Sequence, residues 1–416
     1  MATKKKTAET EVPVEAETPE ASAPVTKKKL SPETYLWALG LIALLVGAYG
    51  VFQRFTDGLR VTDLGSFVPW GLWVATYEYF VWLEVGSLVV FTLLVYVFRW
   101  NKVLPGMART LYLTALAILA MALILIGLDL GHPFRFWYVL VHPQWGSLMT
   151  WMIWLHMVYM VVLLAKLFME MRPETESNHR IAAWLSYISL PLGVALIVVA
   201  GSVFGVVIGR PTWQGSALPL YFLISAMVAG TGLLTFQFIW FWPGKREGDY
   251  LATAQRLGWL LLGLLIVALI AAALGGLVIL YPGVPAQAAA LQLTLFGPYW
   301  WVYWVMHIGL GVTIPIIILL TKSKTARRIG VAAGILILSY IAVPLNIVIP
   351  PQLAVETVEK GLVTAYKGPG LIADYFPSVS EWLVTVFALA FGFLIFMVGY
   401  HILWLRPRST DNAKEG

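Results

Sequence analysis

Ten stretches of this chain are as long and as apolar as the hydrocarbon layer of a membrane is thick. They cover residues 35–52, 69–98, 109–128, 147–168, 181–208, 217–242, 255–280, 298–320, 328–349 and 380–405. A run of about 18 or more apolar residues spans a bilayer as a helix. Inside lipid every backbone N–H and C=O must be paired within its own segment, which leaves helices as the solution for such runs. Barrel strands alternate in polarity and run about ten residues, and these segments do neither. Charged residues make up 12% of the chain, against about 25% in a soluble domain. The predicted fold class is therefore all-α: a polytopic membrane protein of ten transmembrane helices, with the lipid bilayer as its solvent.

Residues 1–30 are rich in Lys, Glu and Pro and poor in large apolar side chains. They read as a disordered tail, and residues 31–416 as the integral membrane domain. Of the 28 basic residues, 22 fall on the side that holds this tail and 6 on the other. The positive-inside rule then puts both termini in the cytoplasm. The net charge of +6 accordingly reports topology and not a nucleic-acid partner. The chain has no cysteine, which excludes disulfides and Cys-ligated zinc or iron–sulfur clusters within it.

A weak internal echo runs through the spans. The second opens "VPWGLWVATYEYF" and the sixth "LPLYFLISAMVAG"; the fourth carries "WLH" at His156 and the eighth "WVMH" at His307. A shift of four spans preserves orientation, so spans 2–5 (about 69–208) and 6–9 (about 217–349) are expected as parallel repeats, each a four-helix bundle, with spans 1 and 10 peripheral.

Ionisable groups inside apolar spans are costly and default to functional candidates. Glu78, His156 and His307 each lie nine residues inside an outer boundary, a depth of about 13 Å, and Glu84 lies at about 22 Å. Tyr77 and Glu84 share a helix face, from which Glu78 points about 120° away. Glu78, Glu84, His156 and His307 are candidates for a proton pathway. The same residues also fit as hydrogen-bonding glue between helices. His156 and His307, at matched depth, also fit the axial ligands of a b-type haem.

The third and fourth spans are joined by "GLDLGHPFRFWYVLVHPQW", residues 127–145. Asp129, His132 and Arg135 are spaced three apart and share a face if the third helix continues past Gly131; Pro133 instead favours a new helical start there. Arg beside His and Asp suits a polar head group, and Phe136, Trp137 and Tyr138 suit a flat ring. An interfacial aromatic belt accounts for the Trp and Tyr equally well. Arg210 and Trp213 occupy another outer loop, where Arg210 either closes the same pocket or snorkels.

"VPWGLWVATYEYF" followed by "GLDLGHPFRFWYVLVHP" resembles the NrfD/PsrC family of membrane subunits, and "YFPSVSEWLVTV" from Tyr375 to Val386 resembles the approach to the last helix of its ten-span members. The similarity covers roughly residues 35–405. It implies a subunit of a respiratory oxidoreductase in a bacterial or archaeal cytoplasmic membrane, with no haem or iron–sulfur cluster of its own. Quinone, menaquinone or ubiquinone, is then its substrate. A ferredoxin-like iron–sulfur subunit is expected on the outer face, with a molybdopterin, hydrogenase or cytochrome catalytic subunit beyond it. By position the family's quinone site maps onto Tyr77, Asp129, His132, Arg135 and His156. Glu78 and Glu84 do not match a family feature. Two other readings remain open on the residues alone: a b-type cytochrome ligated by His156 and His307, and a proton-coupled secondary transporter.

Overall fold

The computed structural model describes residues 31–100, 104–173, 175–214, 217–281, 284–321, 325–354 and 374–402. The expected tail, 1–30, and the end of the tenth run, 403–405, lie outside them. Ten helices are long and apolar enough to cross a membrane: α1 (Pro32–Thr56), α2 (Leu72–Val97), α3 (Leu104–Asp129), α4 (Leu148–Glu170), α5 (Glu176–Gly205), α6 (Ala217–Trp240), α7 (Asp249–Leu280), α8 (Val302–Leu320), α9 (Ala326–Leu353) and α10 (Val379–Ile402). No strand occurs among the described residues. The all-α polytopic class read from the apolar runs is the observed one.

Helices α2 to α5 pack in a ring, each against the next and α5 back onto α2. Helices α6 to α9 form a second ring in the same way. The rings meet where α2 packs against α6, supported by α5 on α6 and by α9 on α2. Every residue of α2 from Leu72 to Thr92 is buried, as expected of a helix enclosed on all sides. The seam depends on missing side chains. A Cβ on Gly86 would lie 2.0 Å from the Ala226 carbonyl oxygen, and one on Gly230 would lie 2.1 Å from the Gly86 carbonyl carbon. Lipid offers no hydrophobic drive to associate helices, so close backbone approach at small residues does that work. Helices α1 and α10 pair with each other, Gly47 and Gly50 of α1 lying on the Leu383–Phe387 turn, and α10 seats the pair on α3. Glu33 of α1 pairs with His401 of α10, which places both ends of the described chain on one face.

The opposite face is fastened by a clasp. Glu381 Oε2 accepts from the backbone amides of Asp63 at 3.0 Å and Ser378 at 2.9 Å. Its Oε1 accepts from the Tyr375 hydroxyl at 2.5 Å, and that hydroxyl accepts from the Leu72 amide at 2.7 Å. Ser378 Oγ in turn accepts from the Glu381 amide at 3.2 Å, closing a capping box at the start of α10. A Cβ at position 71 would lie 2.1 Å from the Tyr375 hydroxyl, so Gly71 admits that hydroxyl to the orphan amides of α2. Gln352 holds the Trp70 peptide on both sides, accepting from its N–H at 3.2 Å and donating to its carbonyl at 2.6 Å. Pro-Trp-Gly and the Tyr375–Glu381 segment are thus two halves of one fastening. Burial raises the Tyr375 phenol above its ordinary value, with the Glu381 carboxylate adding to the shift, and this keeps the hydroxyl a donor.

Candidate functional site

Within the first ring, α2 and α4 bring three polar side chains together. The Tyr77 hydroxyl lies 3.4 Å from His156 Nδ1, and His156 Nε2 lies 3.6 Å from Glu84 Oε2. Tyr77 and Glu84 are seven residues apart and face the same way, two turns of helix placing them above and below one imidazole. His156 is 5% exposed and Glu84 0%. An imidazole held between a phenol and a carboxylate is suited to pass a proton: one nitrogen is oriented by a hydrogen bond while the other exchanges charge with the acid.

Glu78 is also buried, but its Oε2 has no hydrogen-bond partner among the described residues. Its depth matches that of His156, and helix phase turns it elsewhere. His307 does not join the cluster. It lies on α8 in the second ring, where Tyr303 and Tyr340 stand edge-on to it at 5.6 and 6.1 Å between centroids. Residues Val302–Thr313 of α8 are wound as a π-helix around it. In the first ring both nitrogens of His156 face protein partners, an arrangement that leaves neither for an axial bond to haem iron.

The 127–145 stretch folds as a loop. Helix α3 stops at Asp129, Leu130 is extended with φ −61° and ψ 132°, and Pro133–Arg135 is a single 3-10 turn with Pro133 at its start. Asp129, His132 and Arg135 therefore share no continuous helix face. Asp129 is half-buried, its Oδ1 without a hydrogen-bond partner among the described residues. His132 and Arg135 are exposed. Among the described residues no hydrogen bond, ion pair or ring contact joins them to Tyr77, Glu84 or His156. Phe134, Phe136, Trp137, Tyr138 and Trp145 are also exposed, each at least 49%, forming an aromatic surface on the Asp129 face. Arg210 is half-buried and donates to the Phe67 carbonyl at 2.6 Å, while Trp213 stacks on Trp70 at 5.5 Å. Burial lowers the Arg210 guanidinium from its ordinary value.

Two charged residues escaped the sequence reading. Arg54, near the end of α1, is buried and donates to the Leu128 carbonyl at 2.8 Å and the Leu130 carbonyl at 2.6 Å. It thereby closes the C-terminus of α3, whose last carbonyls have no helical partner. Lys166, counted by sequence among the loop cations, lies inside α4 and is 2% exposed. A basic residue near a span end ordinarily snorkels to water; the signal for the opposite was its place on the His156 stripe of α4.

Fold and geometry together define an integral membrane protein of two fused helical rings, with a buried acid–base cluster in the first. The chain belongs to the family described as "Polysulphide reductase, NrfD", whose match covers residues 60–356. It is 30% identical over 403 residues to the C-type subunit of the selenate reductase of Mesobacillus selenatarsenatis, covering 88% of this chain and 92% of the relative. It is 30% identical over 395 residues to the Hdr-like menaquinol oxidoreductase integral membrane subunit of Archaeoglobus fulgidus, covering 91% and 96%. It is 26% identical over 412 residues to a putative dimethyl sulfoxide reductase membrane subunit of Halobacterium salinarum, covering 90% and 92%.

Proposed function

We propose that this chain is the quinone-reactive membrane subunit of a multi-subunit oxidoreductase, exchanging electrons between membrane quinone and an iron–sulfur partner. The observation that carries this reading is the single imidazole of His156 set between Tyr77 and Glu84 inside the first ring. A relative of near-equal length named as a menaquinol oxidoreductase subunit supports it. The Thr76 hydroxyl and Trp154 Nε1 are buried without partners on the same two helices, as is Asp129 Oδ1 at the end of α3. A quinone ring, with an oxygen at each end, suits such a set of donors and acceptors.

Oxidising a quinol removes two electrons and two protons. His156 takes a proton from the ring hydroxyl, and Glu84 stabilises the imidazolium and accepts the proton onward. Tyr77 orients the imidazole through Nδ1. Electrons leave through the partner, which docks on the exposed aromatic surface around Trp137 and Tyr138. Asp129, His132 and Arg135 form the rim of the site beneath that partner. The Asp129 face is then the outer one, and both termini are cytoplasmic.

The test is quinol-dependent electron transfer by the whole complex carrying Glu84→Gln or His156→Ala. Turnover is expected to fall on the order of a hundredfold, the usual worth of a positioned acid or base, while the complex still assembles. Full turnover in both variants overturns the site.

A further inference from the structure

Lys166 is a buried ammonium in a membrane helix. Its Nζ donates to Ser189 Oγ of α5 at 3.2 Å and lies 4.7 Å from the centroid of the Tyr112 ring on α3. Ser189 Oγ donates to the Ser186 carbonyl at 2.9 Å, and Ser186 Oγ has no hydrogen-bond partner among the described residues. Among the described residues no carboxylate comes within the 4.0 Å of an ion pair with Nζ. Glu170, one turn further along α4, acts on it electrostatically. Burying an ammonium with so little compensation costs several kcal/mol. An apolar side chain would avoid that cost, so the lysine calls for a role beyond packing.

Its register supplies one. His156, Tyr159, Leu163 and Lys166 are spaced three, four and three apart, one stripe of α4, and all four are buried. Tyr159 lies within electrostatic reach of Glu84, and its hydroxyl has no hydrogen-bond partner among the described residues. Ten residues separate His156 from Lys166, about 15 Å along the helix axis. Beyond Lys166, Tyr112 lies within electrostatic reach of Tyr96 and Glu170. The Tyr96 and Tyr187 rings meet at 6.2 Å, and Tyr187 is exposed on the face that carries the chain ends. Polar groups therefore run from the Tyr77–His156–Glu84 cluster to that face, with Leu163 the apolar member of the stripe between them.

We propose that Lys166 is the proton-exchanging group that connects the Glu84–His156 cluster to the face carrying the chain ends. This rests on the quinone reading above. In quinol oxidation, a proton held by Glu84 passes by Tyr159, and by water entering beside Leu163, to neutral Lys166. The resulting ammonium releases it toward Tyr96 and Glu170. Quinone reduction runs the same steps backward. Lys166 changes only its proton; the electrons stay with the quinone and the partner.

The experiment uses the whole complex in liposomes of known orientation. A short-chain menaquinol analogue is the donor, ferricyanide the acceptor, and pH dyes report on both sides. Protons are expected on the Lys166 side. Lys166→Met should lower kcat at least tenfold with KM unchanged and abolish that proton signal. Lys166→Arg keeps the cation and the ring contact but gives up no proton, and should show the same defect. If Lys166→Arg restores both turnover and proton release, the lysine is a fixed cation and the inference falls. Proton release on the opposite side with full turnover in Lys166→Met also overturns it, while leaving the quinone site intact. Full turnover in His156→Ala overturns the quinone site and this inference with it.

Discussion

His156 Nε2 faces Glu84 Oε2 at 3.6 Å, although His156 and Glu78 are the pair matched in depth along their helices. Two details of α2 explain this. The helix begins at Leu72, after an extended Pro-Trp-Gly approach, which makes Glu84 shallower than a start at Pro69 implies. Helix phase then decides which carboxylate looks toward α4. Glu84 shares the face of Tyr77, and Glu78 does not.

The two glutamates should therefore separate in function. Glu84→Gln is expected to lower quinol-dependent kcat on the order of a hundredfold, and Glu78→Gln to change it by less than about threefold. Steady-state assays on membranes containing the assembled complex compare them directly. Equal loss in both would mean that Glu78 shares the proton path.

A parallel contrast holds for the two histidines at matching places in the rings. His307 has tyrosine rings around it where His156 has a phenol and a carboxylate. His307→Leu is expected to keep turnover within about threefold of the parent, whereas His156→Leu loses on the order of a hundredfold. A large loss for His307→Leu with normal assembly would assign chemistry to the second ring as well.

The seam between the rings offers a stability test. Gly230→Ala places a methyl into the backbone of α2, and neither chain can yield without separating the rings. Overpacking of this kind costs about 1–3 kcal/mol or more. A clear fall in Tm of the detergent-solubilised protein is expected. Gly127→Ala meets nothing within 4 Å and is the matched control, expected to leave Tm unchanged.

Glu381→Ala removes the acceptor of three hydrogen bonds from Asp63, Tyr375 and Ser378. Stranded donors cost about 1–3 kcal/mol each. Tm should fall, and proteolysis should quicken between Asp374 and Ser378. Glu381→Gln, which keeps the shape and part of the acceptance, should lie between. An unchanged protease pattern in Glu381→Ala would show that the clasp is held by packing alone.

Much of the fold was legible in the amino-acid order, because the membrane imposes its thickness on every segment that crosses it. All ten runs became helices, and Tyr77 and Glu84 fell on one face as a helical period of 3.6 requires. What sequence could not supply was the rotation of each helix against its neighbours. Depth can be counted along a chain, but azimuth is set where helices touch, at contacts such as Gly86 on Ala226. Tertiary packing thus selected Glu84 over Glu78 as the partner of His156. It also turned Lys166 inward from a span end where length and charge alone read it as a loop cation. The Asp129–Arg135 loop followed the same logic: its composition was visible, but Pro133 and the capping of α3 by Arg54, 74 residues away from Leu128, decided that His132 and Arg135 face outward.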